Sequence, residues 1–380
     1  MTQPNNLKSH FLLDPEVVFL NHGSFGACPK PVFAAYQAWQ LELERQPVAF
    51  LGRRIDGLLS EARTALAAYV NADPDDVVFV ANATAGVNTI AKAIPLHAGD
   101  EILTTDHEYG ACMTTWGRVA AQTGAVIVER KVTLPLLSDE AFVEDFWAGV
   151  TPKTRVVYLS HITSPTALTF PVTEICRRAR AAGIISVIDG AHAPGQIGVD
   201  MRAIGADFYT GNCHKWMCAP KGSGFLYVRR DQQDYVHPLI ISWGYRDGDT
   251  FISRHQVQPT RDPAALLTVP TAIQFQREHE WDLVRQQCHA VAVDLRNAIN
   301  AWSGLQPLCS DDHFAQMFTV EVPPCDPAAV KDRLYDDYRI ELPMFNWQGK
   351  PCLRTSIQGY NTAHDGEFLL NALREVFAKA

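Results

Sequence analysis

Through the first two-thirds of the chain, short runs of β-branched and other apolar residues alternate with segments that repeat their apolar positions every three to four residues. The apolar runs predict strands at Val77–Ala81, Glu101–Thr105, Val126–Arg130, Arg155–His161, Ile184–Asp189, Ala206–Thr210 and Gly224–Val228. Helical patterns between them predict helices at Ala85–Ile94, Met113–Thr123, Val172–Ala182 and Met201–Ile204. Continuously apolar strands separated by helices imply an α/β fold: a mainly parallel sheet of seven strands, covered by helices on both faces. Before the sheet, Phe33–Val70 reads as helical with a break around Gln46–Gly52.

The pattern changes near residue 265. One long helix is expected from Pro270 toward Ser303. Strands follow at Ala315–Val322, Ile340–Leu342 and Cys352–Ser356, with helices at Pro327–Tyr335 and from Asp365 onward. This reads as a smaller α+β domain. The expected division is an N-terminal arm over residues 1–20, a large domain over 21–265 and a small C-terminal domain over 266–380.

Composition narrows the function classes. The 380 residues are 47% hydrophobic and 20% charged, with a net charge of -9. That balance argues against nucleic acid as a partner, because phosphate binding wants a basic stripe. The nine cysteines are scattered and none lies in a C-x-x-C pair, so neither a zinc ribbon nor a disulfide framework is expected. A reduced, cytoplasmic setting fits that usage. Met1 to His10 is polar and has no apolar core for a signal peptide. No apolar run reaches the ~18 residues a membrane span needs.

Three motifs carry candidate chemistry. Val187-Ile188-Asp189-Gly190-Ala191-His192 ends an apolar strand in a carboxylate, at the sheet edge where such folds bind ligands. Alone, Asp189 reads equally as a turn residue. Gly211-Asn212-Cys213-His214-Lys215-Trp216 follows the next strand. A lysine in an apolar pocket has a lowered pKa and can form a Schiff base, although His-Lys by itself is common. Asn82-Ala83-Thr84-Ala85-Gly86 opens a helix after the first strand, with Thr84 as its cap and small residues that leave N–H groups open to an anion. It too reads alone as a plain cap. Together the three put an anion site, a carboxylate and an amine around one pocket. Pyridoxal 5′-phosphate (PLP) needs that set: an anchor for its phosphate, an amine for its aldehyde and a carboxylate that keeps the pyridine nitrogen protonated.

The chain resembles the fold-type I PLP-dependent enzymes, in particular the class V aminotransferase family and its isopenicillin N epimerase-like branch. The resemblance runs over nearly the whole chain. It is carried by Leu20-Asn21-His22-Gly23-Ser24-Phe25-Gly26, Asp106-His107-Glu108-Tyr109, Asp189-Gly190-Ala191-His192-Ala193-Pro194-Gly195, His214-Lys215-Trp216, Ser242-Trp243, Thr260-Arg261-Asp262 and Leu353-Arg354. It implies an N-terminal arm packed on the small domain and a homodimer with active sites at the subunit interface. Lys215 is then the Schiff-base lysine and proton shuttle, and Asp189 the partner of the pyridinium. His192 reads the ring hydroxyl. Thr84, Ala85 and Gly86 hold phosphate with Asn212 and His214, and Thr260 reaches the phosphate of the neighbouring subunit. Ser164 stands near the cofactor. Arg354 clamps the α-carboxylate of an amino-acid substrate, a task suited to a guanidinium fork. Asn21, His22 and Gly23 join the substrate side. Tyr109 lies over the ring face opposite Lys215, with His107 as its competitor.

Departures from the family pattern limit the reaction. The stretch Arg339–Pro351 has no cysteine where desulfurases of the group carry a reactive one, and Cys352 reads as a packing residue in a strand. Pro259 replaces the usual glycine before Thr260 and removes a backbone donor. Epimerisation or racemisation at the α-carbon and carbon–sulfur β-elimination both stay open, with transamination behind them and a PLP-free binding protein as the counter-reading. Arg53 and Arg54 are candidates for a distal substrate carboxylate or for a solvated turn. No zincin, dinucleotide or nucleophile-elbow motif is present, and no metal is expected.

Overall fold

The computed structural model describes residues 7–246 and 248–378. Seven strands form the main sheet: β1 (Val77–Val80), β2 (Glu101–Thr105), β3 (Val126–Arg130), β4 (Thr154–Ser160), β5 (Ile185–Gly190), β6 (Phe208–Asn212) and β7 (Gly224–Val228). Their order is β1-β7-β6-β5-β4-β2-β3, and only β7 runs antiparallel to its neighbours. β6 and β7 are buried along their whole length, as strands covered on both faces must be. Helices Ala83–Ala93 and Gly110–Thr123 pack on one face through Val87, Ile90, Cys112 and Trp116. Helices Ile55–Tyr69 and Val172–Ala181 pack on the other through Leu59, Leu66, Ile175 and Ala179.

A three-stranded antiparallel sheet lies beyond the main one, with β8 (Met317–Glu321), β9 (Met344–Trp347) and β10 (Lys350–Ser356) in the order β9-β10-β8. Val18–Phe19 pairs in parallel with Ile340–Glu341, and the Leu7 N–H donates to the Gly359 carbonyl at 2.8 Å. The expected arm also takes in residues 1–6, and the expected small domain residues 379–380; both segments lie outside the described residues.

Three departures from the sequence pattern have local causes. The β6 strand starts two residues later than expected and carries Gly211 and Asn212, because antiparallel β7 pairs with them through Phe225 and Gly224. The long helix is two helices, Val269–Glu278 and Trp281–Ser303, separated where Glu280 adopts a left-handed φ of 48°. Trp281 uses its indole N–H on the Gly195 carbonyl at 2.9 Å. The unanticipated strand β9 forms a hairpin with β10 through Gln348 and Gly349, both at positive φ, as a tight two-residue turn requires. The early helical segment breaks within the expected interval, at Gln46, and resumes at Pro47 with a π-helical turn at Phe50–Arg54.

Candidate active site

Parallel registration levels the C-terminal ends of the central strands. Ser160 pairs with Asp189, and Asp189 with Thr210, so β4, β5 and β6 deliver Ser160, Asp189 and Asn212 to one edge. There the strand ends and their turns enclose a cavity of about 230 Å³. Thr84, Tyr109, Asp189, His192, His214 and Lys215 face it, with Asn212, Ser164, Ser24 and Phe25 completing its wall.

Two glycines fix the lysine-bearing turn. At Gly26 (φ 70°) a Cβ would collide with the His214 carbonyl, and at Gly195 (φ 89°) with the Trp216 backbone. Both positions need a residue that accepts positive φ and a close backbone neighbour. His22, fully buried, contacts the Lys215 carbonyl at 3.0 Å and the Tyr360 hydroxyl at 2.9 Å.

The charges of the site are buried and unsatisfied by one another. Burial, together with the Arg354 charge, lowers the Lys215 pKa to about 8, against a smaller opposing pull from Asp189. Lys215 Nζ lies 3.2 Å from His192 Nε2. Burial pushes the Asp189 carboxyl up, against hydrogen bonds donated by the Ala191 N–H (2.9 Å), Tyr158 (3.3 Å) and Cys112 (3.5 Å). Arg354 donates to the Ser164 carbonyl at 2.7 Å and to Ser24 Oγ at 3.1 Å, and its buried Nε has no partner. Burial lowers its pKa to about 10. Among the described residues none of Lys215, Asp189 and Arg354 forms an ion pair, although a buried charge is stable only with a partner. The cavity therefore fits a ligand that brings a cationic ring nitrogen, an aldehyde and an anion, as PLP does, with the carboxylate of a substrate beside it.

Several residues sit differently from the sequence reading. The helix cap is Asn82, not Thr84: Asn82 Oδ1 accepts from the Ala85 N–H at 2.9 Å. Asn212 Oδ1 takes the Ala83 N–H at 2.8 Å, and the Asn82 carbonyl takes that of Gly86 at 3.2 Å. Thr84 lines the cavity with Asn82 and Ala83, while Ala85 and Gly86 do not border it. Gly86 is needed for another reason, since a Cβ there would strike Thr210 on β6. His214 contacts the Ser223 carbonyl through Nδ1 at 2.9 Å, which leaves Nε2 for the cavity. Ser164 serves Arg354. Asn21 is bonded to Glu341 and Ser24, and Gly23 packs against Met317 and Ser356, so with buried His22 these three shape the wall from behind. Tyr109 faces the cavity and is 45% exposed. His107 is fully buried against Trp347 and bonded to Asp106. Arg53 is exposed and does not reach this cavity; Thr260, expected to serve the neighbouring subunit, is exposed and borders a separate space with Leu51 and Ile55.

Asn82, Ser24, Ser160 and Glu108 were not singled out from sequence. Glu108 accepts from Thr105 Oγ1 (2.6 Å) and from the N–H and Oγ of Ser160 (2.8 and 2.7 Å), and burial raises its pKa to about 8. Asn82 carried a readable signal, a good capping residue at the junction of a strand and a helix. The others needed the strand register.

Fold and site together define an α/β PLP enzyme. The chain belongs to the aminotransferase class-V family, whose model matches residues 27–369, and it is a PLP-dependent enzyme. It is 36% identical to an isopenicillin N epimerase of Amycolatopsis lactamdurans, over 98% of each chain. It is 29% identical to a probable chloroplastic L-cysteine desulfhydrase of Arabidopsis thaliana, over 95% of this chain and 83% of that one. A solved structure of C-DES, with glycine covalently linked to its PLP cofactor, superposes with a TM-score of 0.86 at 23% identity, over 96% of this chain and 98% of that one. Among the described residues no helix is long and apolar enough to cross a membrane, and no cluster of metal-ligating side chains occurs.

Proposed function

We propose that the enzyme epimerises the α-carbon of an amino acid or of a larger substrate that carries one. The observation that supports this most is the placement of Tyr109, which lines both the cavity of Lys215 and the neighbouring space of Arg354: two side chains able to move a proton, next to a buried guanidinium that meets no carboxylate among the described residues. Similarity to an enzyme named isopenicillin N epimerase points the same way. PLP, when bound, supplies an electron sink that makes the α-C–H acidic. Thr84 and His214 hold its phosphate, Asp189 its ring nitrogen and His192 its ring hydroxyl, with Thr260 contributed by the second subunit of a homodimer.

Arg354 orients the substrate through its carboxylate, and Ser24 and Ser164 keep the fork aimed. Lys215, as a free amine, removes the α-proton. The Tyr109 hydroxyl returns one to the other face, and solvent restores both groups. The rest of the substrate extends into a neighbouring space of about 300 Å³ lined by Pro165, Pro343, Phe345 and Trp347. That room suits a substituent larger and less polar than a bare thiol. We place the reaction in the cytoplasm, in keeping with nine free cysteines, and assign cofactor binding to residues 21–265.

Carbon–sulfur β-elimination is the second reading, favoured by the similarity to an enzyme named as a cysteine desulfhydrase. It uses the same first proton transfer and needs no second acid. Persulfide chemistry is not proposed. Burial raises the pKa of Cys28 to about 12 and that of Cys352 to about 11, where a nucleophilic thiolate needs a lowered one. Incubation with amino acids in heavy water tests the choice. Deuterium uptake with inversion supports epimerisation, whereas pyruvate and ammonia without inversion overturn it in favour of elimination.

A further inference from the structure

The contact between Lys215 and His192 has a direction, and Trp216 sets it. The indole N–H can only donate, and Trp216 is fully buried with its Nε1 3.3 Å from His192 Nδ1. His192 Nδ1 is therefore an acceptor. A neutral imidazole carries its single proton on the other nitrogen, so Nε2–H points at Lys215 Nζ, 3.2 Å away. An ammonium has no lone pair with which to accept that hydrogen; only the neutral amine does.

We propose that Trp216 is a positioning residue that holds His192 as the Nε2–H tautomer and thereby keeps Lys215 as a free, nucleophilic amine. The proposal rests on the reading of Lys215 as the PLP-binding amine, but concerns its state before any cofactor arrives. Other groups set the background. Arg354 on β10 opposes the ammonium and Asp189 at the end of β5 favours it, while burial keeps the Cys112 thiol on the Gly110–Thr123 helix protonated. His22 and His214 are held neutral by burial, and Tyr109 borders the same cavity. None of these has the Trp216 contact that orients His192.

The test uses the full-length protein freed of cofactor. Lys215 is reductively methylated with formaldehyde and cyanoborohydride across the neutral to alkaline range, and its peptide is quantified by mass spectrometry. The native protein should show a midpoint near 8. In Trp216→Phe the imidazole is free to present a bare nitrogen to the ammonium, and the midpoint should rise by about one unit. In His192→Gln the amide offers an oxygen whatever Trp216 does, so adding Trp216→Phe should bring no further rise. An equal rise in both backgrounds would mean that Trp216 acts by packing alone, and the proposal fails. Should Trp216→Phe not fold, ¹⁵N spectra of histidine-labelled native protein decide the matter: an Nδ1–H tautomer at His192 overturns the proposal, and Nε2–H upholds it. Borohydride trapping of a pyridoxyl adduct on Lys215 tests the cofactor reading separately, so either idea can fail without the other.

Discussion

Arg354 shows how a single side chain advertises a missing partner. Its guanidinium is buried and held by two serines, yet meets no carboxylate among the described residues. An anion placed there gains charge-assisted, two-pronged hydrogen bonds that lysine cannot copy. Arg354→Lys should therefore lower kcat/KM for an α-amino acid by about 100-fold, from the loss of one charged hydrogen bond of ~2–3 kcal/mol. Substrate amides lacking the carboxylate should show little difference between the two proteins. Lys215 yields a pH prediction. Its pKa is lowered to about 8, so the reactive free base grows as pH rises toward that value and levels off above it. Stopped-flow capture of PLP by the cofactor-free protein should accelerate about tenfold per pH unit below the midpoint and reach a plateau past it. An ordinary lysine would go on accelerating to about pH 10.

At the level of elements, the lysine turn is clamped between two others. Gly26 ends the short segment before helix Lys30–Arg45, and Gly195 belongs to the turn after β5; both press on residues 214–217. Gly195→Ala places a Cβ at positive φ against backbone that cannot yield. It should cost at least ~2 kcal/mol by denaturant unfolding and weaken PLP retention together with stability. Gly198→Ala, where a Cβ meets open space, serves as the control and should leave both nearly unchanged. The β9–β10 hairpin has a comparable role across the site. Gln348 bonds to Asp106 at 2.7 Å and Trp347 packs on His107, so the hairpin tip braces the segment that leads to Tyr109.

At the scale of the whole molecule, two surfaces bear on the proposed homodimer. Thr260, expected to serve a neighbouring subunit, lies outside this chain's cavity, and Tyr109 remains 45% exposed. The segment from residue 239 to 245 displays Ile241 and Trp243 at 67% and 76% exposure, beside Leu239 and Ile240. A cluster of large apolar side chains on a protein surface marks an interface. Under the proposed homodimer, sedimentation should give about twice the 42.1 kDa chain mass. Trp243→Asp should shift the protein toward monomer and loosen PLP binding in step. A native monomer with full cofactor affinity would remove the dimer from the account.

The strands, their burial and the residues at their ends were legible in the chain itself. Apolar period and turn chemistry are local properties, so Val187–Asp189, the turn at Lys215 and the helix after β1 could each be placed. The chemical types of amine, carboxylate and anion cup were legible for the same reason. Tertiary structure decided which partner each group meets. Asn82 rather than Thr84 caps the helix, His107 turns inward while Tyr109 faces the cavity, and His22 supports the lysine turn from beneath. The β9–β10 hairpin and the break at Glu280 were hidden too, since Met344–Trp347 pairs with β10 and Trp281 bonds to Gly195. These outcomes depend on contacts between residues distant in the chain. Local sequence encodes the donors, acceptors and apolar faces, whereas strand register and packing determine which of them coincide.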